Sequence, residues 1–435
     1  MVQRFVNDRI MMRCRQVFLA FVLILASACS PIMVSLMPAP EGFRLEQVEA
    51  FKDTPEEERN LVVPVLYATN RISGKETKDG SPYGNSYDDT LRMGVSRIQI
   101  GDDPSLEWDD LTRLSVEEQR ERELPLRLVE VNEYAALPHG QDLEALPEDL
   151  EVLMNGVNRA LESSRDPDLM IFVHGARNTF YRSMGQAAQY RHFTGRNTVV
   201  LAFAWPSTGT LWRYGADVER ARQSARQLAD LVDFLAVHSK ARKINILGYS
   251  LGGVVVSNAL ALLRTDHPDE NGEALAGRLR IGEVYYAAAD IDFSEFTQQL
   301  HTYQDMVGRV SMTVNLSDKV LKMSQFRNRS SRAGRPDPDE LSSEDTNFLI
   351  QAASADNFDV IDAVSAVSFF NAIEAHDYWY NNPRVSTDVL VKMLFHLAPE
   401  DRGLQSIVTE RGFKVWYFPD DYHQRISATI DALVQ

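Results

Sequence analysis

The sequence predicts an α/β fold built on a mostly parallel β-sheet with helices on both faces. From Asp168 onward, short stretches that are apolar throughout alternate with longer amphipathic stretches. Strands that are apolar on both faces are typical of parallel sheets covered on both sides. The 435 residues allow one large domain with additions, or two ordinary domains. A core of about 300 residues would bury roughly three quarters of its unfolded surface, so it needs no disulfides or metals for stability.

The individual elements follow from the same alternation. Strands are predicted at Leu169–Val173, Thr198–Ala204, Ile244–Leu247, Gly282–Ala288, Val310–Asn315 and Phe358–Val360. The helices between them are predicted at Tyr181–Arg191, Ala216–Ala236, Leu251–Leu263 and Phe293–Tyr303. Upstream, the pattern predicts strands at Leu61–Tyr67, Leu91–Ile100 and Leu126–Val131, a helix at Leu150–Ser163, and a polar loop at Ser73–Asp89.

The charge balance limits the possible partners. The net charge is −17 and the isoelectric point is near 5.0. This balance argues against nucleic acid as a partner, because the phosphates of nucleic acid attract proteins of the opposite sign. Much of the acidic excess lies between Asp102 and Glu151, where we expect a solvated, solubilising face.

The first 28 residues are typical of a secretory signal peptide. Four arginines precede the apolar run Val17–Ala26, which is followed by small residues and Cys29. The ending Leu25–Cys29 resembles the bacterial lipobox, and this resemblance implies that Cys29 is lipid-modified after cleavage. We therefore expect an exported protein of the bacterial cell envelope, anchored to the membrane by lipid and facing the periplasm. The alternatives are cleavage without lipid, and retention of Val17–Met37 as a single membrane anchor.

The remaining chain divides by composition. Residues 29–60 contain several prolines and no clean periodicity, which predicts a tether. Residues 61–400 should form the main domain, and residues 401–435 an extension packed on it. Residues 325–344 combine arginines and serines with a Pro-Asp repeat, which predicts a solvated surface loop or a lid. Only Cys14 and Cys29 are cysteines, so the cleaved chain could form no internal disulfide.

The residues Gly248-Tyr249-Ser250-Leu251-Gly252 form the most informative motif. They are a G-x-S-x-G sequence between an apolar strand and an apolar helix, the setting of a nucleophile elbow. The tight turn requires small residues at Gly248 and Gly252, and it exposes the Ser250 hydroxyl. A glycine-rich turn with a capping serine is the alternative interpretation.

A serine nucleophile needs a base, and the base needs a third group to orient it. In this fold the chain order is serine, then acid, then histidine. Three histidines lie late enough, and we favour His376 because it follows the last apolar strand and precedes a helix. His396 lies within the apolar helix pattern Val389–Leu397, and His423 lies in a polar stretch near the end of the chain.

Asp318 is the predicted acid because it follows the strand that ends near Asn315. The alternative role is a turn or helix-cap aspartate. Asp290 and Asp292 follow the preceding strand and are rival acids, although a pocket wall or a helix cap suits them better.

The oxyanion of an acyl-transfer intermediate needs fixed hydrogen-bond donors. We predict the backbone N–H of Leu251 at the helix start and that of Ala176 after the strand that ends in His174 and Gly175. His174 is expected to brace this loop. The candidate residues of the substrate pocket are His174, Tyr249, Trp205 and Asp290.

Together, several segments resemble the α/β-hydrolases, and more narrowly a bacterial family of unknown function that is usually labelled esterase/lipase-like. These segments are Val65–Arg71, Phe172–Phe180, Ala204–Ser207, Gly248–Gly252, Ala289–Asp292, Ser317–Lys319 and His376 with its aromatic neighbours. The resemblance spans about Val62–Leu397. It implies an α/β-hydrolase fold with an eight-stranded sheet, in which Ser250, Asp318 and His376 are nucleophile, acid and base. Ala176-Arg177 and the residues Tyr249 and Leu251 depart from the family pattern, which leaves the substrate open.

The resulting hypothesis is a serine hydrolase that cleaves carboxylic esters through an acyl-enzyme. It implies a small acyl-ester or lipid substrate and no metal or organic cofactor, and it leaves the oligomeric state open. A thioesterase or amidase of the same fold is one alternative. A non-catalytic, envelope-anchored binding protein is another. If His376 is the base, its ordinary pKa predicts that activity falls as the pH drops through about 6 to 7.

Overall fold

A computed structural model describes residues 34–45, 48–74, 77–137, 146–208, 213–315, 318–328, 330–337, 340, 342–354, 357–364 and 376–434. The chain divides into residues 1–34 and residues 35–435, and only Val34 of the first unit is described. The expected signal peptide, Cys29 and most of the alternative anchor Val17–Met37 lie outside the described residues. Within the described part of the chain, no helix has both the length and the apolar character needed to cross a bilayer.

A single mixed sheet contains the twelve described strands, in the order β1-β4-β3-β2-β6-β5-β7-β8-β9-β10-β12-β11. The strands are β1 (Val34–Ser35), β2 (Val62–Ser73), β3 (Tyr83–Ile100), β4 (Pro125–Leu137), β5 (Leu169–Val173), β6 (Val199–Phe203), β7 (Ile244–Tyr249), β8 (Ile281–Ala287), β9 (Arg309–Val314), β10 (Phe358–Asp362), β11 (Gln405–Val408) and β12 (Lys414–Tyr417).

The α-helices of the described residues lie between and after these strands. They are α1 (Trp108–Val116), α2 (Glu148–Ser163), α3 (Phe180–Phe193), α4 (Tyr214–His238), α5 (Gly252–Asp266), α6 (Gly272–Leu279), α7 (Phe293–Tyr303), α8 (Lys319–Asn328), α9 (Ser343–Ser354), α10 (Tyr378–Asn381), α11 (Pro383–Phe395) and α12 (Tyr422–Val434). Short 3-10 helices cover Glu41–Arg44, Glu56–Glu58, Gln304–Met306 and Glu400–Arg402.

The prediction of an eight-stranded sheet is wrong. The strands β5 to β10 run parallel to their neighbours, and β12 runs parallel to β10. In contrast, β3 pairs antiparallel with β2 and β4, and β11 pairs antiparallel with β12. Strand β3 begins at Tyr83, inside the segment Ser73–Asp89 that we expected to be a loop. This part of β3 is mostly polar and, apart from Tyr83, half-buried or exposed, so it lacks the apolar alternation that predicts a strand.

The central strands carry the core and set the position of the site. Every residue of β5, β6, β7 and β8 is buried. Helices pack on both faces, because Tyr285 and Tyr286 are adjacent in β8 and their hydroxyl groups bond to Asp388 of α11 and Tyr303 of α7. The carboxyl ends of these parallel strands meet at one edge of the sheet, where loops can bring distant side chains together.

The expectation of a tether does not hold for the described residues 35–45 and 48–60, which pack on the domain. Leu36, Met37 and Phe51 are at most 9 % exposed. The Met37 amide donates to the Gln189 side chain at 3.0 Å, and the Gly42 amide donates to the Thr387 hydroxyl at 3.0 Å. Regular structure in the described part of this segment is limited to the end of β1 and two short 3-10 helices, each of which follows a proline. Its scattered apolar side chains still pack on the domain, because burial removes them from water.

The C-terminal residues join the sheet. Residues 405–417 form β11 and β12, and β12 pairs with β10 through Trp416 and Tyr417. Both strands are four residues long, so their pattern was too short to be recognised in the sequence.

Candidate functional site

The turn between β7 and α5 holds Ser250 in a strained backbone conformation. Its φ angle is +52°, in the left-handed region that residues with a Cβ rarely adopt. Three backbone hydrogen bonds fix this conformation. The Ser250 amide donates to the Ala287 carbonyl at 2.9 Å, and the Ser250 carbonyl accepts from the amides of Gly253 at 2.9 Å and Asp290 at 3.1 Å. A strained residue held by its surroundings in this way is a common feature of functional sites.

The glycines of the motif are needed for close packing, although not quite for the reason predicted. A Cβ on Gly252 would lie 2.4 Å from the Val173 carbonyl oxygen and 2.6 Å from that of His174. Gly252 therefore must be small because α5 starts against the end of β5. A Cβ on Gly248 would be 3.1 Å from the Val256 side chain of α5, a milder conflict.

Ser250, His376 and Asp318 form a continuous hydrogen-bonded chain. His376 Nε2 lies 2.9 Å from Ser250 Oγ, and His376 Nδ1 lies 2.8 Å from Asp318 Oδ2. An ionised carboxylate only accepts, so Nδ1 carries a proton and donates to Asp318. In the neutral ring, Nε2 then accepts from the serine hydroxyl. Ser250 is 6 % exposed, His376 is 8 % and Asp318 is fully buried.

Asp318 also caps helix α8, so the two roles that the sequence left open are filled by one residue. Its Oδ1 accepts from the Leu321 amide at 2.9 Å, while Oδ2 faces His376. The cap fixes the carboxylate, because both oxygens are used. The rival histidines lie elsewhere: His396 bonds to Asp168, and His423 is half exposed beside Glu41.

The electrostatic surroundings make His376 a stronger base than an ordinary histidine. Burial alone would lower its pKa. The carboxylates of Asp318, Asp377 and Asp290 outweigh burial and raise the pKa of His376 from 6.5 to about 9. The pKa of this histidine therefore lies above the ordinary value assumed from the sequence.

A cluster of aromatic side chains lies next to the imidazole of His376. The Tyr249 ring lies 5.6 Å from it, and Trp379 and Tyr380 pack on Tyr249 at 5.9 and 6.2 Å. The Tyr249 hydroxyl donates to the carboxylate of Asp377. Tyr249, a candidate pocket residue, is only 5 % exposed, so it offers little surface to a substrate.

The loop after β5 packs directly on the elbow. A Cβ on Gly175 would lie 2.9 Å from the Ser250 Cβ, so this loop approaches the serine as closely as a glycine allows. Ala176 follows in the same loop, and Leu251 immediately precedes helix α5. The two predicted oxyanion donors therefore lie in the two backbone segments that flank Ser250.

His174 and Trp205, both candidate pocket residues, do not line an open pocket. His174 and Trp205 are fully buried, and their rings stack 5.0 Å apart with an angle of 9°. His174 Nδ1 lies 2.7 Å from the Gly175 carbonyl, and Trp205 Nε1 donates to the His174 carbonyl at 2.7 Å. Burial and the nearby Arg71 lower the pKa of His174 to about 3. His174 thus connects this loop to Trp205.

Asp290 is also buried, because a segment that we expected to be solvated covers it. Its Oδ1 accepts from Arg332 Nε at 2.7 Å and from the Ser324 hydroxyl at 2.7 Å, and its Oδ2 accepts from the Tyr214 hydroxyl at 2.6 Å. Arg332 is 5 % exposed. Asp290 is therefore neither the acid of the hydrogen-bonded chain nor an exposed pocket wall.

The segment Ser331–Arg335 fits between two loops of the site. The Gly334 amide donates to the Ala289 carbonyl, and the Gly334 carbonyl accepts from the Asn315 amide, both at 2.8 Å. A solvated loop is thus the wrong description for this part of residues 325–344. The buried ion pair with Asp290, which the sequence alone does not reveal, holds the segment in place.

A group of three or more potential metal ligands is not found among the described residues. The ionisable groups at the site are used instead in the chain of hydrogen bonds that ends at Ser250.

Comparison with protein families agrees with this architecture. Residues 152–394, more than half of the chain, match the family described as alpha/beta hydrolase of unknown function (DUF900). The chain belongs to this family. The resemblance inferred from the sequence motifs is therefore confirmed, and the matched region includes Ser250, Asp318 and His376.

Individual similar proteins add little to the family assignment. An uncharacterized protein of Nostoc sp. is 30 % identical over 111 residues, which cover 22 % of this chain and 29 % of that protein. The chain thus matches less than a third of that relative's length. The structure of a lipase-esterase related protein from Clostridium acetobutylicum covers 46 % of this chain and 74 % of that chain, at 15 % identity and a TM-score of 0.20. That TM-score is too low to support an argument.

Proposed function

We propose that this α/β-hydrolase is a serine hydrolase that cleaves carboxylic esters. The observation that carries the proposal is the hydrogen-bonded chain from Asp318 through His376 to a hydroxyl on a strained turn. Each residue type suits its place, since a serine needs a base and the base needs a buried acceptor to orient it.

The first half of the proposed reaction acylates the enzyme. As Ser250 Oγ attacks the acyl carbon, His376 Nε2 accepts the hydroxyl proton. The carbonyl oxygen becomes an oxyanion, which would accept hydrogen bonds from the amides of Leu251 and Ala176. The intermediate then collapses, the bond to the leaving oxygen breaks, and His376 returns the proton to the departing alcohol.

The second half repeats these steps with water. His376 removes a proton from the water as it attacks the acyl-enzyme, and then returns a proton to Ser250 Oγ as the carboxylic acid leaves. Asp318 stays ionised and stabilises the imidazolium that forms twice in the cycle. No metal or organic cofactor enters these steps.

The alternatives differ in the bond cleaved or in whether any bond is cleaved. A thioesterase or amidase would use the same residues, because one triad serves several acyl bonds. A purely binding protein would have no reason to keep a non-glycine residue at φ +52° beside an imidazole that a buried carboxylate orients.

A substrate panel tests the proposal. Purified protein would be assayed against nitrophenyl esters of short and long acyl chains, acyl thioesters and acyl anilides, with Ser250→Ala as control. We expect ester turnover that the control lacks. Preferential turnover of thioesters or anilides would replace the ester assignment, and equal rates for the two proteins would contradict catalysis by Ser250.

We further propose that the protein is exported and anchored in the cell envelope through a lipid on Cys29, with an acyl-ester or lipid as substrate. The support is the signal-like sequence of residues 1–28 and its lipobox-like end. Cells given a palmitate analogue should label the protein, and Cys29→Ser should abolish both the label and membrane fractionation. Unchanged fractionation of Cys29→Ser without label would favour the uncleaved anchor.

A further inference from the structure

Arg71 is a fully buried guanidinium at the edge of the sheet that carries the candidate site. It lies near the end of β2, in the segment Val65–Arg71 that contributed to the family resemblance, and none of its surface is exposed. Among the described residues, it has no carboxylate within ion-pair distance. Buried arginines ordinarily pair with acidic groups, because an uncompensated charge is unfavourable in the interior.

All hydrogen-bond acceptors of Arg71 are neutral. Nε donates to the Ala204 carbonyl at 3.1 Å, and Nη2 donates to the Asn178 carbonyl at 2.9 Å and lies 3.4 Å from His174 Nε2. Nη1 donates to the Asn85 side chain at 2.8 Å and to the Gly84 carbonyl at 3.2 Å. One guanidinium thus joins the loop 174–178 to the loop 204–207.

The same two loops are joined by further bonds around Arg71. The Ser207 hydroxyl donates to the Asn178 carbonyl at 2.8 Å, and the Asn178 amide donates to the Ser207 hydroxyl oxygen at 2.9 Å. The Thr69 hydroxyl donates to the Ala204 carbonyl at 2.7 Å. The loop that carries Ala176 is therefore held at both ends, by Arg71 at His174 and Asn178 and by the elbow at Gly175.

Arg71 also brings a positive charge to this loop. Burial lowers the pKa of Arg71 to about 9, while Asp79 and Asp217 act in the opposite direction from a distance. The group remains mostly protonated at neutral pH, so a positive charge lies behind the loop. Fixed positive potential next to a developing oxyanion stabilises an acyl-transfer transition state without reorganisation.

We propose that Arg71 is a positioning residue for acyl transfer, which holds the Gly175–Asn178 loop so that the Ala176 amide faces the oxyanion and which adds a fixed positive charge behind it. This inference rests on the proposed function, because it assumes that Ser250 forms an acyl-enzyme. It goes beyond that function by assigning a role to a residue that touches neither Ser250 nor His376.

The test compares Arg71→Met, Arg71→Lys and the control Arg196→Met. Arg196 is also buried, at 2 % exposure, with its pKa lowered to about 9 by burial, but it precedes β6 at the opposite edge of the sheet and donates to Glu58 and Val62. For each variant, kcat, KM and the rate of Ser250 modification by a fluorophosphonate would be measured. Rates would be normalised to the folded fraction, determined by circular dichroism and thermal unfolding.

We expect Arg71→Met to lower kcat and the phosphonylation rate together by about 100-fold, as loss of an oxyanion donor does, with KM within about 3-fold. Arg71→Lys keeps the charge but loses the planar fork, so we expect a partial rescue to about 10-fold below wild type. Arg196→Met should keep kcat within about 3-fold once folded, because it touches no loop of the site.

Three results would overturn the inference. The first is a folded Arg71→Met protein with wild-type kcat and phosphonylation rate. The second is an equal loss of kcat and phosphonylation rate in Arg196→Met. The third is unfolding of both Arg71 variants while Arg196→Met folds. Either of these two results would make Arg71 a purely structural residue. Failure of the proposed function looks different, because wild-type protein itself would then neither hydrolyse esters nor react with the probe.

Discussion

Two aspartate–histidine pairs lie at opposite edges of the central sheet. At the carboxyl ends of the strands, His376 Nδ1 is 2.8 Å from Asp318. At the other edge, where Asp168 precedes β5, His396 Nε2 is also 2.8 Å from a carboxylate. The pKa of each histidine is raised to about 9. For His376, nearby carboxylates outweigh the effect of burial, which would lower the pKa. For His396, hydrogen bonds to Asp168 and Glu283 are the main cause.

The pairs differ in what the second ring nitrogen meets. His376 Nε2 faces the Ser250 hydroxyl at 2.9 Å, whereas His396 Nδ1 faces a second carboxylate, Glu283, at 3.5 Å. A hydroxyl can give up its proton to the ring, but a carboxylate can only hold the ring in its charged form. The distance within a pair therefore says little about function, and the third partner decides it.

The surroundings of His396 support a structural role for that edge. Glu283 also pairs with Lys392, whose side chain is fully buried, and Lys392 lies 3.9 Å from Asp359. Asp359 in turn accepts two hydrogen bonds from Arg309. The charges there compensate one another between α11 and the sheet, and a hydroxyl in the position of Ser250 is not among the described partners of His396.

The largest predicted contrast between the pairs is in activity. Ser250→Ala and His376→Ala should each lower kcat by about 10⁶-fold, since removing either member of a serine–histidine unit costs about as much as removing both. His396→Ala should leave kcat within a few-fold. Steady-state kinetics on the best ester of the panel measures this, and a comparable loss in His396→Ala would remove the distinction between the two edges.

The two carboxylates should differ next. Asp318→Asn should lower kcat by about 10⁴-fold, because an amide favours the wrong tautomer of His376. Asp168→Asn should spare kcat but lower the free energy of unfolding by roughly 1–3 kcal/mol, as it weakens bonds from Arg242 and His396. Steady-state kinetics and urea unfolding of both variants test this difference. A large loss of kcat in Asp168→Asn, with little loss in Asp318→Asn, would contradict the account.

The pH dependence of activity should report the raised pKa of His376. The base works only when unprotonated, so kcat/KM should rise with pH until about 9 and fall as the pH drops below that value. In Asp318→Asn the remaining activity should reach its plateau at lower pH. Burial lowers the pKa of His376, and this variant removes the carboxylate that most opposes that effect. A wild-type profile that is already flat from pH 6 to 9 would argue against His376 as the base.

A smaller effect is expected on stability through His396. Its folded pKa, about 9, lies above the unfolded value near 6.5, so the stabilisation is fully present below about pH 6.5 and is lost as the pH rises through 9. We expect this stabilisation to contribute about 1–2 kcal/mol to the free energy of unfolding, after allowing for the partial exposure of His396. The fall in unfolding free energy from pH 6 to pH 9.5 should therefore be smaller in His396→Gln than in wild type, and equal falls would count against this pairing.

The sequence predicted the candidate site best where a motif is local or where the fold fixes the order of residues along the chain. The elbow around Ser250 needs only a strand, two glycines and a helix, and the order of the fold then selected Asp318 and His376 from several candidates. His396, which the sequence placed inside a helix pattern, lies just after α11 and bonds to Asp168. Arg332 was misjudged because its partner, Asp290, is 42 residues away and nothing local marks an arginine as buried.

The role of Arg71 and the pKa of His376 were beyond the sequence for a related reason. Both depend on several segments that meet only in the folded chain: Arg71 on the loops at Asn178 and Ala204, and His376 on carboxylates from three segments. The small strands β11 and β12 were missed because four residues give no clear period.

The most direct test of the account is the covalent reaction of Ser250 with a fluorophosphonate. Folded wild-type protein should gain the mass of one phosphonyl group, peptide mapping should place it on Ser250, and Ser250→Ala and His376→Ala should gain none while His396→Ala is labelled at the wild-type rate. Folded wild-type protein that stays unlabelled, or that carries the label on another residue, would contradict the claim that Asp318 and His376 activate this hydroxyl.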